Sequence, residues 1–244
     1  MTRPVRIYTT GPLEAGQAVD LEAQPARHLV KVLRRRAGDP VVLFNGDGHE
    51  YPGTIADSRA PEHCRVDVLS KASPAVESAL AITLVQAIGR GERMDWTIQK
   101  ACELGVAAIV PVFTQRTEVK LDGKRAAKRL AHWQGVAVAA CEQSGRVRVP
   151  AIGTPVELTA LVPEISPRFY LDPTASRSLP AIEHPARQQA MLVIGPEGGL
   201  ADHEIEWLKR QDFEGLRLGP RVLRTETAGP AAIAILQSLF GDLR

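Results

Sequence analysis

Two glycine-proline loops near the C-terminus are the part of this chain best suited to hold a ligand. Gly195-Pro196-Glu197-Gly198-Gly199 follows the apolar run "MLVI", and Gly219-Pro220 follows "LRL". Glycine lets the backbone approach a ligand closely, and proline reduces the entropy lost when a loop is ordered. The first loop lacks Lys, Ser and Thr, which favours a ligand recognised by backbone groups over a phosphate. If the two strands are neighbours, the loops form a rigid pocket, with Arg217, Arg221 and Arg224 at its edge; otherwise they are tight strand-to-helix turns.

A third glycine motif, "AIGRGERM", offers an alternative chemistry. Gly89-Arg90-Gly91 is a G-x-G between an apparent strand and a helix, as in dinucleotide-binding folds. The third small residue of that fingerprint is missing, because Arg93 or Met94 stands in its place. Arg116, at the end of the next strand, suits a 2′-phosphate, so an NADP-dependent oxidoreductase is an alternative. There is no G-x-x-x-x-G-K-[ST] motif, so a P-loop NTPase has no support.

An acid-free helix is predicted in the N-terminal part of the chain, at residues 25–37. Pro25 opens it and Gly38 follows it, in positions where these residues favour helix starts and stops. Its basic residues are Arg27, Lys31, Arg34, Arg35 and Arg36. Helical spacing places the first three on one face, which predicts a stripe that contacts RNA phosphates. A solvated face with cations near the helix C-terminus is the alternative.

The elements that position these residues change in character near residue 70. Before it, the strands "VVLF", "EYPGTI" and "HCRVDVL" surround the turn "NGDG" and predict a small β-rich unit. Residues 70–79 are polar and indicate a linker. After it, continuous apolar strands alternate with helices, which predicts a mainly parallel sheet covered on both faces. Trp96, Trp133 and Cys141 are predicted to lie in the core.

Composition limits the class of protein. The net charge is +2, so only local clusters of charge can indicate a nucleic-acid partner. The three cysteines are far apart and without C-x-x-C spacing, which predicts neither a disulfide framework nor a metal site. The chain shows no signal peptide, and no stretch approaches the ~18 consecutive apolar residues of a membrane span. We expect a soluble, cytoplasmic protein that binds no metal and no membrane.

Six segments, in this order, resemble the RsmE family of SPOUT methyltransferases. They are "RIY", "HLVKVLR", "RGERMDWTIQKACELGV", "HWQGVAVAACEQSGR", "IGPEGGL" and "LGPRVLRTETA", and the similarity extends over essentially the whole chain. The resemblance implies an α/β fold with a small PUA-like β-barrel at residues 1–72. A SPOUT methyltransferase domain follows at residues 73–244, with a trefoil knot over about residues 192–230.

The same resemblance implies the activity. Members of this family transfer a methyl group from S-adenosylmethionine to N3 of a uridine in small-subunit (16S) ribosomal RNA, and SPOUT sites are completed in a homodimer. The partner is then ribosomal RNA or the assembled small subunit. A non-catalytic ribosome-binding module is a further alternative, because the basic helix alone could serve it.

The resemblance also assigns roles to residues. Donor binding falls to Leu171, Gly195, Pro196, Glu197, Gly198, Leu218, Gly219, Arg221, Val222, Leu223 and Arg224. The chemistry of N3 methylation makes Arg224 the candidate to stabilise negative charge and Glu226 the candidate base; the alternative is that the helix N-terminus stabilises Glu226 as an anion and makes it a weaker base. The candidate RNA contacts are Arg6, Arg27, Lys31, Arg34, Arg35, Arg36, Arg116, Gln143 and Arg146. Surface salt bridges are the alternative for Arg116 and Arg146, and termination of a helix is the alternative for Gln143.

Two positions depart from the usual family pattern. Ala201 stands where a serine commonly caps the helix after "GPEGGL", and Asp202 is a replacement cap one residue later. Gly229-Pro230 follows "TETA". Because proline breaks a helix interior, we expect the last helix to begin near Thr227, with Pro230 in its first turn.

Overall fold

The structure is a computed structural model that describes residues 4–60, 62–119, 123–182 and 188–243. By its internal contacts the chain divides into two compact units. The first contains the chain up to Glu77 together with Cys141–Val149, and the second contains Ser78–Ala140 and the chain from Pro150 onward. The predicted domain boundary at residue 72 stays a prediction.

A mixed sheet forms the first unit. Its strands are β1 (Val5–Tyr8), β2 (Ala18–Asp20), β3 (Pro40–Phe44), β4 (Tyr51–Ala60) and β5 (His63–Val68). They lie in the order β1-β3-β4-β5-β2, and the pair β1–β3 is parallel while the other pairs are antiparallel. Cys64, Val66 and Val68 alternate with exposed residues along β5 and face the core, which confirms the expected half-buried strand.

The basic helix is shorter than predicted. It consists of α1 (Ala23–Arg27) and one π-helical turn, His28–Val32. Arg34 has a φ of 55°, and this left-handed residue ends the helix. Burial also decreases toward the C-terminal end of this segment: Leu29 is fully buried, whereas Val32 is 62% exposed. The expected single face of Arg27, Lys31 and Arg34 is therefore wrong at Arg34, which lies beyond the helix.

The second unit contains a parallel sheet. Its strands among the described residues are β6 (Ala81–Ala87), β7 (Ala108–Phe113), β8 (Ala151–Ile152), β9 (Val156–Glu157), β10 (Arg168–Leu171), β11 (Gln189–Ile194) and β12 (Phe213–Leu216). Their order is β12-β10-β11-β6-β7-β8, with β9 also paired to β7, and every pair is parallel. The continuous burial of β6 and β11 is typical of strands covered on both faces, so the prediction from their apolar runs is confirmed.

The helices that accompany this sheet are α2 (Arg93–Glu103), α3 (Gly123–Ser144), α4 (Asp202–Arg210) and α5 (Thr225–Phe240). Trp133 and Cys141 are buried in α3, as predicted. Trp96, by contrast, is 44% exposed, so its core assignment is wrong. It lies off the buried stripe of α2, which runs through Met94, Ile98 and Ala101.

Two predictions in the C-terminal region, the position of a short strand and a helix cap, are also wrong. The strand predicted at "LRL" (residues 216–218) lies earlier in the chain, at β12 (Phe213–Leu216). Phe213 and Leu216 are its buried residues. Helix α4 begins at Asp202 after Ala201, so Asp202 is not its cap. Instead, the Glu204 carboxylate accepts the Ala201 backbone N–H at 2.7 Å, which replaces half of a capping box.

The last helix begins two residues earlier than expected. The Arg224 carbonyl already accepts the N–H groups of Thr227 at 2.9 Å and Ala228 at 2.8 Å. Pro230 therefore lies inside α5, in its second turn. Across the described ranges, no helix combines the length and apolar character needed to cross a membrane.

Candidate functional site

Three loops at the carboxyl ends of β10, β11 and β12 enclose a cavity of about 580 Å³. These three strands are adjacent, with β10 between the other two. The glycine-proline loops therefore flank a third loop, Leu171–Pro173, and all three line the cavity. Open α/β sheets bind ligands at this edge. The expected pocket between two neighbouring loops is present, with the loop after β10 completing it.

Glycine is required at two places in the cavity wall. A Cβ on Gly195 would lie 3.1 Å from Leu200 Cγ, which is closer than side chains normally pack. Gly219 has a φ of 79°, a left-handed conformation that side chains rarely adopt. Substitution at either position would move a loop that faces the cavity.

A buried hydrogen-bond chain connects the first loop to α5. The Gln86 Nε2 group donates to Thr225 Oγ1 at 3.0 Å, and the Thr225 hydroxyl donates to the Gly195 carbonyl at 2.8 Å. Gln86 is 1% exposed and Thr225 is 7% exposed. Strand β6, the loop after β11 and the start of α5 are thereby fixed to one another.

The predicted donor-binding residues converge on this cavity, except for Gly198. The cavity is lined by Leu171, Gly195, Pro196, Glu197, Leu218, Gly219, Arg221, Val222, Leu223 and Arg224. Gly198 lines a neighbouring cavity of about 620 Å³. There the Arg116 side chain covers it, with Cβ 3.3 Å from the position of a Gly198 Cβ.

Both predicted catalytic residues line the same cavity. Arg224 is exposed and precedes the first residue of α5. Glu226 lies in the first turn of that helix, and its side chain is 17% exposed. Its Oε2 atom is buried and has no hydrogen-bond partner among the described residues. A buried acceptor without a partner is costly, so this atom is a candidate to receive a proton or a hydrogen bond from a ligand.

Arg93 connects Glu197 and Glu226, two of the acidic residues that line the cavity, and the sequence analysis did not predict this role. Its Nη1 donates to Glu197 Oε1 at 2.6 Å, and its Nε lies 3.9 Å from Glu226 Oε1. Burial raises the pKa of the Glu197 carboxyl, but hydrogen bonds from its own backbone and from Arg93 outweigh this and hold the pKa below its usual range. Glu197 is therefore an anion at neutral pH.

Other residues of the site were missed for identifiable reasons. Tyr170, Asp172 and Pro173 line the cavity, but the sequence around β10 carries no glycine motif that would mark a loop there. Thr225 and Arg93 are within the segments that resemble the family, and their types alone do not distinguish them from surface residues. Gln86 is a polar residue inside an apolar strand, which is a signal that reasoning from sequence could have used.

Two of the predicted RNA-binding residues, Arg6 and Arg146, are buried within the first unit. Arg6 and Arg146 are 8% and 6% exposed. Arg6 pairs with Glu50 and donates to the Arg146 carbonyl, and Arg146 pairs with Glu77. These contacts are internal to the first unit and hold the segment after α3 on its sheet. Neither guanidinium has the exposure that an RNA contact requires, so their assignment has no support in the structure.

The remaining predicted RNA-binding residues are at or near the surface. Arg27 pairs with Glu62 and, with Lys31, lines a shallow groove in the first unit. The other predicted RNA-binding residues are exposed or half-exposed: Arg34, Arg35, Arg36, Gln143 and Arg116. Their role in RNA binding stays a prediction.

The alternative nucleotide site at Gly89-Arg90-Gly91 lacks the surroundings it needs. Arg90 pairs with Glu118. Arg116, the expected partner of a 2′-phosphate, donates instead to the carbonyls of Gly198 at 2.8 Å and Leu200 at 3.4 Å. These contacts give no support to an NADP site.

Comparisons with known proteins agree with the geometry. The sequence matches the family described as RNA methyltransferase domain over residues 76–237 and the RNA methyltransferase PUA domain over residues 21–69. Ribosomal RNA small subunit methyltransferase E of Buchnera aphidicola (subspecies Schizaphis graminum) is 33% identical over 98% of this chain and 97% of its own length.

Solved structures share the fold. Ribosomal RNA small subunit methyltransferase E from Neisseria gonorrhoeae, bound to S-adenosyl methionine, is 37% identical with a TM-score of 0.92, over 99% of this chain and 100% of its own. A Legionella pneumophila protein in complex with the cofactor SAM is 39% identical with a TM-score of 0.94, over the same shares. The predicted fold class, a PUA-like domain with a SPOUT α/β domain, is confirmed, while the knot stays a prediction. The chain belongs to the ribosomal RNA small subunit methyltransferase E family.

Proposed function

We propose that this protein transfers a methyl group from S-adenosylmethionine to N3 of a uridine in small-subunit (16S) ribosomal RNA. One observation carries the proposal: the cavity formed by the loops after β10, β11 and β12 is lined by Glu226, whose buried Oε2 atom has no hydrogen-bond partner among the described residues. A donor pocket beside a proton acceptor is what methylation of an N–H group requires.

The cavity fits the donor. Backbone can approach a ligand closely at Gly195 and Gly219, where a side chain would clash or strain the loop. Tyr170, Leu171 and Leu218 supply apolar wall for an adenine face. Bound there, S-adenosylmethionine supplies a methyl group activated by a positive sulfonium. The residues that would hold it are those of the three loops, and the donor-bound relatives support this assignment.

Glu226 is proposed as the group that takes the N3 proton of the uracil. Arg93 lies near its Oε1 atom, which leaves Oε2 for a new partner. Loss of the N3 proton puts negative charge on the two carbonyl oxygens beside the nitrogen. Arg224, exposed at the mouth of the cavity, is placed to stabilise that charge.

Glu226 also has a second interpretation. The start of a helix favours an anion, and a strongly stabilised carboxylate is a weaker base. In that case Glu226 would orient the uracil by accepting its N–H without removing the proton. The substitution described in the Discussion distinguishes the two roles.

Four further features belong to the proposal. We expect the protein to act as a homodimer in the cytoplasm, with the PUA-like domain ending near residue 72 and a knot over residues 192–230. The side chain of Val222 supports the dimer, because it is apolar, 80% exposed and at the cavity mouth. Light scattering on the purified protein measures its oligomeric state.

The test uses labelled S-adenosylmethionine and small ribosomal subunits from cells that lack this methylation. After the reaction the RNA is digested and its nucleosides are identified by mass spectrometry. We expect label in 3-methyluridine. Label in another nucleoside would contradict the uridine assignment, and failure of the protein to bind the donor would contradict the site itself.

A further inference from the structure

We infer that the neighbouring cavity, called here the arginine groove, holds a phosphate of the RNA strand next to the target nucleotide. The groove is lined by Arg90, Arg93, Gln115, Arg116, Thr117, Glu118, Glu197 and Gly198. This inference rests on the proposed function, because it names the part of the substrate that lies beside the donor pocket.

Position is the first argument. Arg93 and Glu197 line both the donor cavity and the arginine groove, so their ion pair forms a shared wall. A nucleotide whose base enters the donor cavity must leave its sugar-phosphate chain outside that cavity. The groove lies immediately beyond the shared wall and has a volume of about 620 Å³, which is ample for a nucleotide backbone.

Charge is the second argument. Arg90 is neutralised by Glu118, and Arg93 by Glu197. Arg116 differs, because its guanidinium donates hydrogen bonds to the backbone carbonyls of Gly198 and Leu200. Carbonyls fix the direction of a guanidinium but do not cancel its charge. Among the described residues that line the groove, one cation is therefore left without a carboxylate partner, and it attracts a phosphate.

Preorganisation is the third argument. The absence of a side chain at Gly198 lets the Arg116 stem lie against the loop, with Cβ and Cδ 3.3 and 3.4 Å from where a Gly198 Cβ would be. Because the stem is already held, little side-chain entropy is lost when Arg116 binds an anion. The exposed Gln115 amide is next to it and adds a neutral donor.

The Arg90–Glu118 pair makes the inference testable by two substitutions of opposite effect. Both side chains are more than half exposed, so neither substitution should disturb folding. Arg90→Gln removes a cation from the groove, and Glu118→Gln releases Arg90 for the phosphate. Arg210→Gln is the matched control, since Arg210 is exposed at the end of α4 in the same unit and does not line the groove.

The measurement is the equilibrium affinity of the full-length protein for small ribosomal subunits and for deproteinised 16S RNA, with excess S-adenosylhomocysteine and over a range of salt concentrations. We expect Arg90→Gln, which leaves the Glu118 carboxylate without its partner in the groove, to weaken binding severalfold. Glu118→Gln should strengthen binding by a similar factor, and Arg210→Gln should bind within twofold of the unmodified protein.

Several results would overturn the inference. Equal weakening by Arg90→Gln and Arg210→Gln would show a general charge effect, and no strengthening by Glu118→Gln would show that the groove does not contact phosphate. The inference is also overturned if the protein shows no measurable binding to small ribosomal subunits or to deproteinised 16S RNA. The proposed function fails separately, through absence of 3-methyluridine formation by the unmodified protein, because the affinities do not depend on turnover.

Discussion

Two pairs of charged residues, Arg6 and Arg146 in the first unit and Glu226 and Arg116 in the second, differ in how their side chains are partnered. In the first unit, the buried guanidiniums of Arg6 and Arg146 are bonded to Glu50 and Glu77. In the second, Glu226 keeps a buried carboxylate oxygen without a partner, and the Arg116 guanidinium is bonded to carbonyls that leave its charge intact. The ion pairs of Arg6 and Arg146 stabilise the fold, whereas we propose that the incompletely paired Glu226 and Arg116 interact with substrate. Residue type alone does not separate these cases.

Glu226→Gln tests the second half of this comparison and should have the largest effect. The amide cannot accept a proton, so we expect kcat for 3-methyluridine formation to fall by about 10²- to 10⁴-fold. Donor affinity should stay within twofold, as measured by calorimetry with S-adenosylhomocysteine. Near-normal turnover would assign Glu226 an orienting role. Glu206→Gln, an exposed position on α4, is the control.

Arg146→Ala tests the first half. Removal of this buried cation leaves Glu77 with only its backbone hydrogen bonds from Val147 and Arg148 and without its ion-pair partner. We therefore expect the free energy of unfolding to fall by about 3 kcal/mol. Arg59→Ala is the contrasting variant, because Arg59 is 88% exposed and paired with Asp57 on the surface; its effect on stability should be much smaller, since water screens an exposed ion pair. Urea denaturation measures both. Equal losses would mean that burial does not distinguish the two ion pairs.

Thr225→Val asks whether the hydrogen-bond chain beneath the donor cavity is structural. Valine keeps the volume but deprives the Gly195 carbonyl of its donor, so we expect a loss of about 1–3 kcal/mol. Donor affinity should fall as the loop loosens. Thr227→Val is the control, because Thr227 is an exposed residue of the same helix. It should change donor affinity little. The same urea titrations and donor calorimetry check this pair.

Gly195→Ala tests whether donor binding depends on the lack of a side chain at Gly195. The added methyl group meets Leu200 at 3.1 Å, and we expect donor affinity to fall about tenfold, equivalent to ~1.4 kcal/mol. Gly135→Ala is the opposite case, since a Cβ at this exposed position of α3 has open space around it. It should stabilise the protein by about 0.5–1 kcal/mol. Unchanged donor affinity in Gly195→Ala would show that Leu200 moves without consequence.

Glu22→Gln gives the smallest effect and a defined pH dependence. Burial of Glu22 raises its pKa, but hydrogen bonds from Thr9 and Thr10 outweigh this and lower the pKa from 4.5 to about 2. A lowered pKa stabilises the folded state above pH 4.5, and this stabilisation disappears as the pH falls toward 2. Thermal unfolding should therefore show the variant less stable than the unmodified protein at pH 7, with the difference shrinking between pH 4.5 and 2. A constant difference would contradict this.

Periodicity and turn residues predicted most of the fold. The parallel sheet followed from apolar runs such as that of β11, and the ligand pocket followed from Gly195 and Gly219. Resemblance to a known family supplied the donor and the reaction, which no residue pattern could have given. The failures have local causes. Arg34 ends the basic helix through a left-handed backbone conformation that its residue type does not announce, and the burial of Arg6 and Arg146 depends on partners distant in sequence.

The position of Pro230 affects local unfolding at the start of α5. Proline has no amide hydrogen, so the Glu226 carbonyl lacks the helical bond that residue 230 would otherwise give it. The first turn of α5, which carries Glu226, is therefore less firmly joined to the second turn than one helical turn normally is to the next. Hydrogen exchange should register this segment as a separate, less protected unit than the rest of α5. A ligand that bonds to Glu226 would then slow exchange in that turn, which makes amide protection a measure of substrate engagement that needs no turnover.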